Sequence, residues 1–306
     1  MARRVVVAGA TGLIGRHLCA YLHERGNEVI ALVRNVEKAK RQILTATAYV
    51  HWQPSEHSAW AESLDGADAL VNLAGASIFG KRWDAAYKNE IRDSRVVSTR
   101  VLFSALIAAR RKPAVFINGS AIGYYGPRDA TPLDEQSPPG NDFLAQVGVA
   151  WEQEALEAEE LGIRTVLLRT GIVLDHDDGA LPKMMLPFQL LSGGPILPGN
   201  QWLSWIHIAD EIGLIALALD DERVTGPLNA TAPEPQTNRD FMATLGRVMG
   251  RPSWLPTPGF GLHLLLGEVA DLLVQGQRVL PRKAQSYDYQ FRYPTAEAAL
   301  RDLLVH

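Results

Sequence analysis

The residues with the clearest chemical capacity stand near the N-terminus, in Val5-Val6-Val7-Ala8-Gly9-Ala10-Thr11-Gly12-Leu13-Ile14-Gly15. A β-branched run leads into three glycines and then into a helical pattern, the setting in which a glycine triplet acquires meaning. Gly9 permits a tight turn, Gly12 lets the backbone approach a pyrophosphate, and Gly15 lets the helix pack closely on the strand. The unpaired N–H groups of the helix's first turn then face the anion. The spacing is G-x-x-G-x-x-G rather than G-x-G-x-x-G, and a structural glycine turn is the plain alternative. The strand–turn–helix context favours dinucleotide binding. The second strand-like run, Glu28-Val29-Ile30-Ala31-Leu32-Val33-Arg34-Asn35, ends on an arginine and carries no acid at that end. An acid there would hold a ribose 2′-hydroxyl, whereas Arg34 suits a 2′-phosphate, which favours NADP(H) over NAD.

Such a loop needs a sheet to hold it. Strand-like runs at 3–8, 28–33, 69–73, 114–118 and 164–168, with a short one at 49–51, alternate with helical patterns at 13–25, 83–110 and 143–161. That alternation predicts an α/β fold, a Rossmann doubly wound parallel sheet with helices on both faces. After about residue 175, Gly and Pro punctuate shorter elements, with helices expected at 211–218, 238–248, 262–274 and 295–303. A smaller C-terminal α/β lobe over the sheet's edge fits this pattern. The expected division is a cofactor domain over 1–175, rejoined by 208–230, and a substrate or lid lobe over 176–207 and 231–306. The amphipathic stretch 262–274 lacks a basic polar face, so core packing is expected of it rather than a lipid or partner surface.

Composition narrows the classes. The 306 residues carry 30 Lys+Arg against 34 Asp+Glu, a net charge of −4 that offers no general attraction to nucleic acid or anionic membrane. Cys19 is the only cysteine, which rules out an intramolecular disulfide and a multi-thiolate zinc site. The longest apolar runs, 214–219 and 262–266, fall short of the ~20 residues of a membrane span. A strand beginning at residue 3 leaves no room for a leader ahead of it, so a cytoplasmic protein is expected.

Longer segments carry a resemblance. Gly9–Gly15 together with Asn72-Leu73-Ala74-Gly75 resembles the extended and atypical short-chain dehydrogenase/reductases. Four further segments are Asn118-Gly119-Ser120-Ala121-Ile122-Gly123-Tyr124-Tyr125-Gly126, Gln201-Trp202-Leu203-Ser204-Trp205-Ile206-His207-Ile208, Leu228-Asn229-Ala230-Thr231-Ala232-Pro233-Glu234-Pro235 and Gly276-Gln277-Arg278-Val279-Leu280-Pro281. With these the chain is similar, over nearly its whole length, to the NAD-dependent epimerase/dehydratase-like family 39U, whose C-terminal extension is a domain of unknown function (DUF1731). The resemblance implies NADPH lying across the C-terminal edge of the sheet. It maps cofactor contacts onto Gly9, Thr11, Gly12, Leu13, Ile14 and Gly15, onto Val33 and Arg34, and onto Leu73, Ala74 and Gly75. It adds Glu90 and Arg95 on the following helix, and Ser120. Lys88, Arg92 and Arg100 of that helix read as a solvated face, and Trp52 as either an adenine border or a core-edge residue.

The same resemblance exposes a loss. Active short-chain reductases use a Tyr-x-x-x-Lys pair, in which a cation lowers the tyrosine pKa for proton exchange. The slots fall here at Leu144 and Gly148, and no such pair occurs elsewhere in the chain. Ser120 and Tyr124 are the candidate catalytic residues that remain. The usual hydroxyl slot, counted back from Tyr125-Gly126, lies at Ala121, one residue after Ser120, and Tyr125 reads as a structural turn residue. Leu203 stands near the arginine slot with which nucleotide-sugar epimerases clamp a diphosphate, and leucine cannot form that fork. Trp202, Trp205, Met184, Met185 and Phe188 either line an apolar cleft or form core. His207 reads as a satisfied histidine at a strand end, and Asp210 as the cap of a helix starting at Glu211. The leading expectation is an NADP(H)-dependent oxidoreductase with a small or hydrophobic substrate. The alternative is a non-catalytic NADPH-binding protein with a protein partner, in keeping with relatives described as cell-division or plastid-division inhibitors. A nucleotide-sugar epimerase is disfavoured.

Overall fold

Alternation of side chains along the strands decides the architecture. The computed structural model describes residues 2–54 and 59–305 of the chain. Seven strands form one sheet, β1 (Arg4–Ala8), β2 (Glu28–Val33), β3 (Ala48–His51), β4 (Ala69–Asn72), β5 (Val115–Ala121), β7 (Arg164–Thr170) and β11 (Gly226–Ala230). Their order is β11-β7-β5-β4-β1-β2-β3 and every neighbouring pair is parallel. Odd and even residues of each strand enter different cores, as the period of two demands. Val5 and Val7, Val115 and Ile117, Val166 and Leu168 join one core; Val6 and Ala8, Phe116 and Leu167 join the other. The first core is closed by α1 (Leu13–Glu24), α2 (Val36–Gln42) and α6 (Ile208–Asp220), through Leu18, Ala39 and Ile215. The second is closed by α3 (Ala85–Ala108) and α4 (Phe143–Leu156), through Leu102, Leu106 and Ala155. Each fully buried Leu, Ile or Phe here stabilises the fold by about 1.5–3 kcal/mol.

Small paired strands fasten the rest: β6 (Pro132–Leu133) with β13 (Arg278–Val279), β8 (Ile172–Leu174) with β10 (Trp205–His207), and β9 (Trp202–Leu203) with β12 (Gln236–Thr237). A third core gathers Leu181 and Phe188 of α5 (Leu181–Gln189), Phe241 and Leu245 of α7 (Asn238–Val248), and Ala299 and Leu303 of α11 (Ala296–Leu304). Trp205 and Phe188 are fully buried in it and Met184 and Met185 pack partly against it. Half-buried Trp202 instead lies under Arg278, 4.6 Å from its ring centre.

Two expectations need correction. The stretch 262–274 is not one core-packing helix. It is α8 (Gly259–Leu266), a 3-10 turn (Gly267–Ala270) and α9 (Asp271–Val274). Gly267 adopts φ +64°, a left-handed conformation that stops the helix, and α8 leaves Phe260 80% and Leu264 79% exposed. The short α10 (Arg282–Ser286) follows. The second correction concerns α6, which starts at Ile208, before Glu211. Its cap is His207, whose Nδ1 accepts the Ala209 N–H at 3.0 Å. Asp210 lies inside the first turn and accepts the backbone N–H groups of Arg292 and Tyr293 at 2.8 and 2.9 Å. It ties the C-terminal segment to α6.

Candidate functional site: the C-terminal edge of the sheet

Register brings the glycine loop between two other strand ends. Ala8 pairs with Leu32 of β2 and with Asn72 of β4, so Gly9, Val33 and Leu73 emerge side by side. Gly9 has φ +78°, and a Cβ there would stand 2.5 Å from the Leu73 carbonyl carbon. A Cβ on Gly15 would meet the Gly9 carbonyl oxygen at 2.3 Å. Both positions therefore exclude side chains for steric reasons, which is the cradle that a pyrophosphate requires. Gly12 is the N-cap of α1 and offers the first turn no side-chain acceptor. Thr11 is half-buried, its carbonyl taken by Arg16; Leu13 and Ile14 turn partly into the first core.

Arg34 follows β2 and is exposed; it makes no hydrogen bond or ion pair among the described residues. On the other side of β1, the chain after β4 is held by a buried amide pair. The Asn72 amide donates to Asn118 Oδ1 at 2.7 Å and to Thr99 Oγ1 at 3.0 Å, and its own oxygen accepts the Ala74 N–H at 3.2 Å. Leu73, Ala74 and Gly75 are thereby placed, and Arg95 of α3 lies against Gly75, where a Cβ would meet its guanidinium carbon at 3.1 Å. Arg95 has no carboxylate partner among the described residues; it donates to the Ile91 carbonyl and stands over the Trp151 ring. Burial pulls its pKa down to about 10. Glu90, in contrast, is exposed and paired with Lys81, and no hydrogen bond or ion pair joins it to the cradle among the described residues. Trp52 is buried edge-on to Trp60, as a core-edge residue.

A cradle closed to Cβ atoms, with Arg34 and Arg95 on either side of β1 and neither paired to a carboxylate among the described residues, fits a dinucleotide carrying an extra phosphate.

Beside the cradle lies a polar network that the sequence reading missed. Strand alternation sends Ser120 and Arg169 to the α4 side. Arg169 forms a two-pronged ion pair with Glu152 of α4, at 2.8 and 2.7 Å, almost wholly buried. Burial opposes the Arg169 charge, but the Glu152 pair more than offsets it and raises the arginine's pKa. Ser120 donates to the same carboxylate at 2.6 Å. The third arm of Arg169 donates to the Tyr125 hydroxyl at 2.9 Å, which donates to Asn229 at 2.7 Å. Burial pushes the Tyr125 phenol up to about 12, against the pull of Arg169 and Asn229. Tyr125 is thus a structural residue, as its turn position implies. Tyr124 is half-buried with the Arg169 guanidinium stacked 3.6 Å from its ring centre; its hydroxyl makes no hydrogen bond among the described residues. The two empty catalytic slots serve packing. Leu144 rests on Gly123, and a Cβ on Gly148 would stand 3.3 Å from the Tyr124 backbone, so α4 packs closely on the 122–125 turn at both slots.

The next residues along the strands face the α6 side. Ala121 is exposed and pairs in register with Thr170. Thr170 is half-buried and contacts Glu211 of α6 at 2.8 Å. Glu211 is fully buried, its second carboxyl oxygen has no hydrogen-bond partner, and burial lifts its pKa to about 8. His207 is far from catalytic duty: it caps α6, stacks on Tyr293 at 3.9 Å, and burial lowers its pKa. For Arg169 a signal was present in the sequence, a single charge inside the apolar run 165–174; Glu152 and Glu211 stand beside other acids, at Glu154 and Asp210, and carried none. Among the described residues no His/Cys/Asp/Glu cluster could hold a metal, and no helix is long and apolar enough to cross a membrane.

Comparison with known proteins agrees with this geometry. Residues 5–230 match the NAD dependent epimerase/dehydratase family, and residues 257–303 match a domain of unknown function, DUF1731. The chain is 40% identical over 301 residues to the epimerase family protein YfhF of Bacillus subtilis, covering 98% of this chain and 97% of that one. It is 40% identical to the chloroplastic epimerase family protein SDR39U1 homolog of Arabidopsis thaliana, covering 98% and 86% respectively. Among solved structures, the human epimerase family protein SDR39U1 (isoform 2) with NADPH superposes with a TM-score of 0.87 at 34% identity, over 98% of both chains. A Rossmann sheet, a glycine cradle at its edge and a matching C-terminal extension come together in one group, and this chain belongs to the NAD-dependent epimerase/dehydratase family, in its SDR39U1-like branch.

Proposed function

We propose that the protein is an NADP(H)-dependent oxidoreductase acting on a small or hydrophobic substrate, in the cytoplasm and without nucleic-acid or membrane partners. The observation that carries the reading is the pair of arginines without carboxylate partners among the described residues, Arg34 and Arg95, on either side of the Gly9–Gly15 cradle. Arg34 binds the 2′-phosphate, the first turn of α1 and the backbone at Gly9–Gly12 take the pyrophosphate, and Leu73–Gly75 meet the adjoining ribose. When bound, the nicotinamide supplies or accepts a hydride. The chain's own residues position the substrate: Tyr124, stiffened by the stacked Arg169, presents a free hydroxyl to a substrate oxygen. Ser120, Glu152 and Arg169 keep that platform rigid from behind, since the Ser120 hydroxyl is committed to Glu152.

Purified protein with NADPH, screened against a panel of aldehydes, ketones and enones, should consume cofactor above background with at least one class. Tryptophan-fluorescence titration should show NADPH binding more tightly than NADH. Binding without any consumption would leave the second reading, a non-catalytic NADPH-binding protein that engages a partner. Leu144 and Gly148 in the catalytic slots favour that reading, as do the exposed Trp254, Phe260 and Leu264. Partner capture that depends on NADPH would then be its mark.

A further inference from the structure

The reductase reading gives Tyr124 the task of orienting the substrate oxygen, but its hydroxyl makes no hydrogen bond among the described residues through which a spent proton could be replaced. Tyr-x-x-x-Lys is gone, Ser120 donates inward to Glu152, and Tyr125 is locked between Arg169 and Asn229. A hydroxyl is also missing from the usual slot, which is filled by Ala121. The sheet restores one beside it. Ala121 of β5 pairs in register with Thr170 of β7, and register partners in a parallel sheet point to the same side. Thr170 is half-buried at the C-terminal end of its strand, and behind it, 2.8 Å away, stands the carboxyl group of Glu211. That carboxyl is sealed from solvent and only one of its oxygens is hydrogen-bonded.

We propose that Thr170 and Glu211 form the proton-delivering pair of this site, Thr170 touching the substrate oxygen and Glu211 resupplying Thr170 from behind. This rests on the oxidoreductase reading above. In the reductive direction the substrate's carbonyl carbon gains a C–H bond with the hydride from reduced nicotinamide. The carbonyl π electrons move to oxygen, which takes the Thr170 proton as that O–H bond breaks. The Glu211 O–H bond breaks in turn to reprotonate Thr170 and leaves a carboxylate, reprotonated from water through the same hydroxyl after product departs. Oxidation of an alcohol runs the same steps backwards.

Among the described residues no cation pairs with Glu211. Its neighbour on α6, Asp210, is bound to Arg292 and Tyr293 backbone and to the Tyr289 hydroxyl. His207, ahead of α6, caps the helix and lies 3.3 Å from Asp302. On α1, His17 is paired with Asp175, which follows β8, and Arg16 with Asp178. Arg169 of β7 lies on the opposite face of the sheet with Glu152. Burial without a cation keeps the acid protonated near neutrality, with a pKa of about 8. With the proton on Glu211, the Thr170 hydroxyl hydrogen is free to point outward.

The test uses the full-length protein with NADPH and 4-nitrobenzaldehyde, or the best carbonyl from the panel. Thr170→Val and Glu211→Gln should each lower kcat at least 100-fold while NADPH binding, read by fluorescence, changes less than threefold; Thr170→Ser should restore most of the rate. The wild-type rate should decline as pH rises through about 8, and that decline should be absent in Glu211→Gln. Independently of turnover, infrared difference spectra of wild type against Glu211→Gln should contain a protonated-carboxyl band at pH 7 that disappears at pH 9.5 and shifts in Thr170→Val. No turnover by wild type with any carbonyl would sink the oxidoreductase reading and this pair with it. Turnover with an unchanged rate and pH profile in both variants, or no carboxyl band at pH 7, would overturn the proton-delivering pair alone.

Discussion

Two buried glutamates approach the end of β7 from opposite faces of the same sheet, and they are treated in opposite ways. Glu152 of α4 meets Arg169 in a two-pronged ion pair and also accepts the Ser120 hydroxyl. Glu211 of α6 meets only the hydroxyl of Thr170, one residue further along the strand. Burial alone penalises both charges; what separates them is one guanidinium, present on one face and absent on the other. The paired side becomes scaffold, holding Tyr124 and Tyr125 through the same arginine. The unpaired side keeps a proton that neutral solution would ordinarily remove.

The largest effect should come from breaking the paired side. Arg169→Met leaves the Glu152 carboxylate buried without its cation, and urea unfolding should report a loss of about 3–5 kcal/mol. Replacing both partners, as in Arg169→Met with Glu152→Met, should recover much of it; a double variant as unstable as the single one would mean that packing rather than charge is at stake.

The unpaired side should reveal itself through pH. The folded-state pKa of Glu211 lies above its unfolded value of 4.5, at about 8, so unfolding releases a proton between them. Stability from this group is therefore full below about 4.5 and is lost as pH rises towards about 8. Between pH 6 and 8 the loss should be on the order of 2 kcal/mol, seen as a falling urea midpoint. The difference between wild type and Glu211→Gln isolates it from other titrations, and parallel pH curves for the two proteins would contradict it.

Arg34, which has no partner among the described residues, and Arg223, which is paired, should respond differently to removal. Arg34→Ala should reduce the preference for NADPH over NADH by about 10- to 100-fold, the worth of one or two charge-assisted hydrogen bonds, with little change in NADH binding. Retained discrimination would remove Arg34 from the phosphate site. At the other extreme, Arg223 pairs with Asp221 on the surface and faces Tyr287, and Arg223→Ala should leave both Tm and cofactor binding unchanged within error.

Much of this edge was legible in the chain because its causes are local. A glycine that must turn with φ +78°, a glycine that must let a helix touch a carbonyl, and an arginine directly after a strand are written at fixed spacings. The expected strand at 28–33 and helix at 238–248 coincide with β2 and α7, because alternation and amphipathic period are also short-range properties. The break at Gly267 was not legible, since a single glycine within an amphipathic pattern is compatible with either a helix or a stop. Nor was the role of Asp210, whose partners at Arg292 and Tyr293 lie more than 80 positions away.

By itself the sequence determined the doubly wound sheet, the glycine cradle, the arginine after β2 and the loss of Tyr-x-x-x-Lys. Those depend on residue type and spacing within one strand–helix unit. Only the tertiary structure decided that Glu152 receives a guanidinium and Glu211 a threonine hydroxyl. Each glutamate meets its partner across the sheet from another element, and charge in a buried site is settled by what packs against it rather than by the residue's own identity.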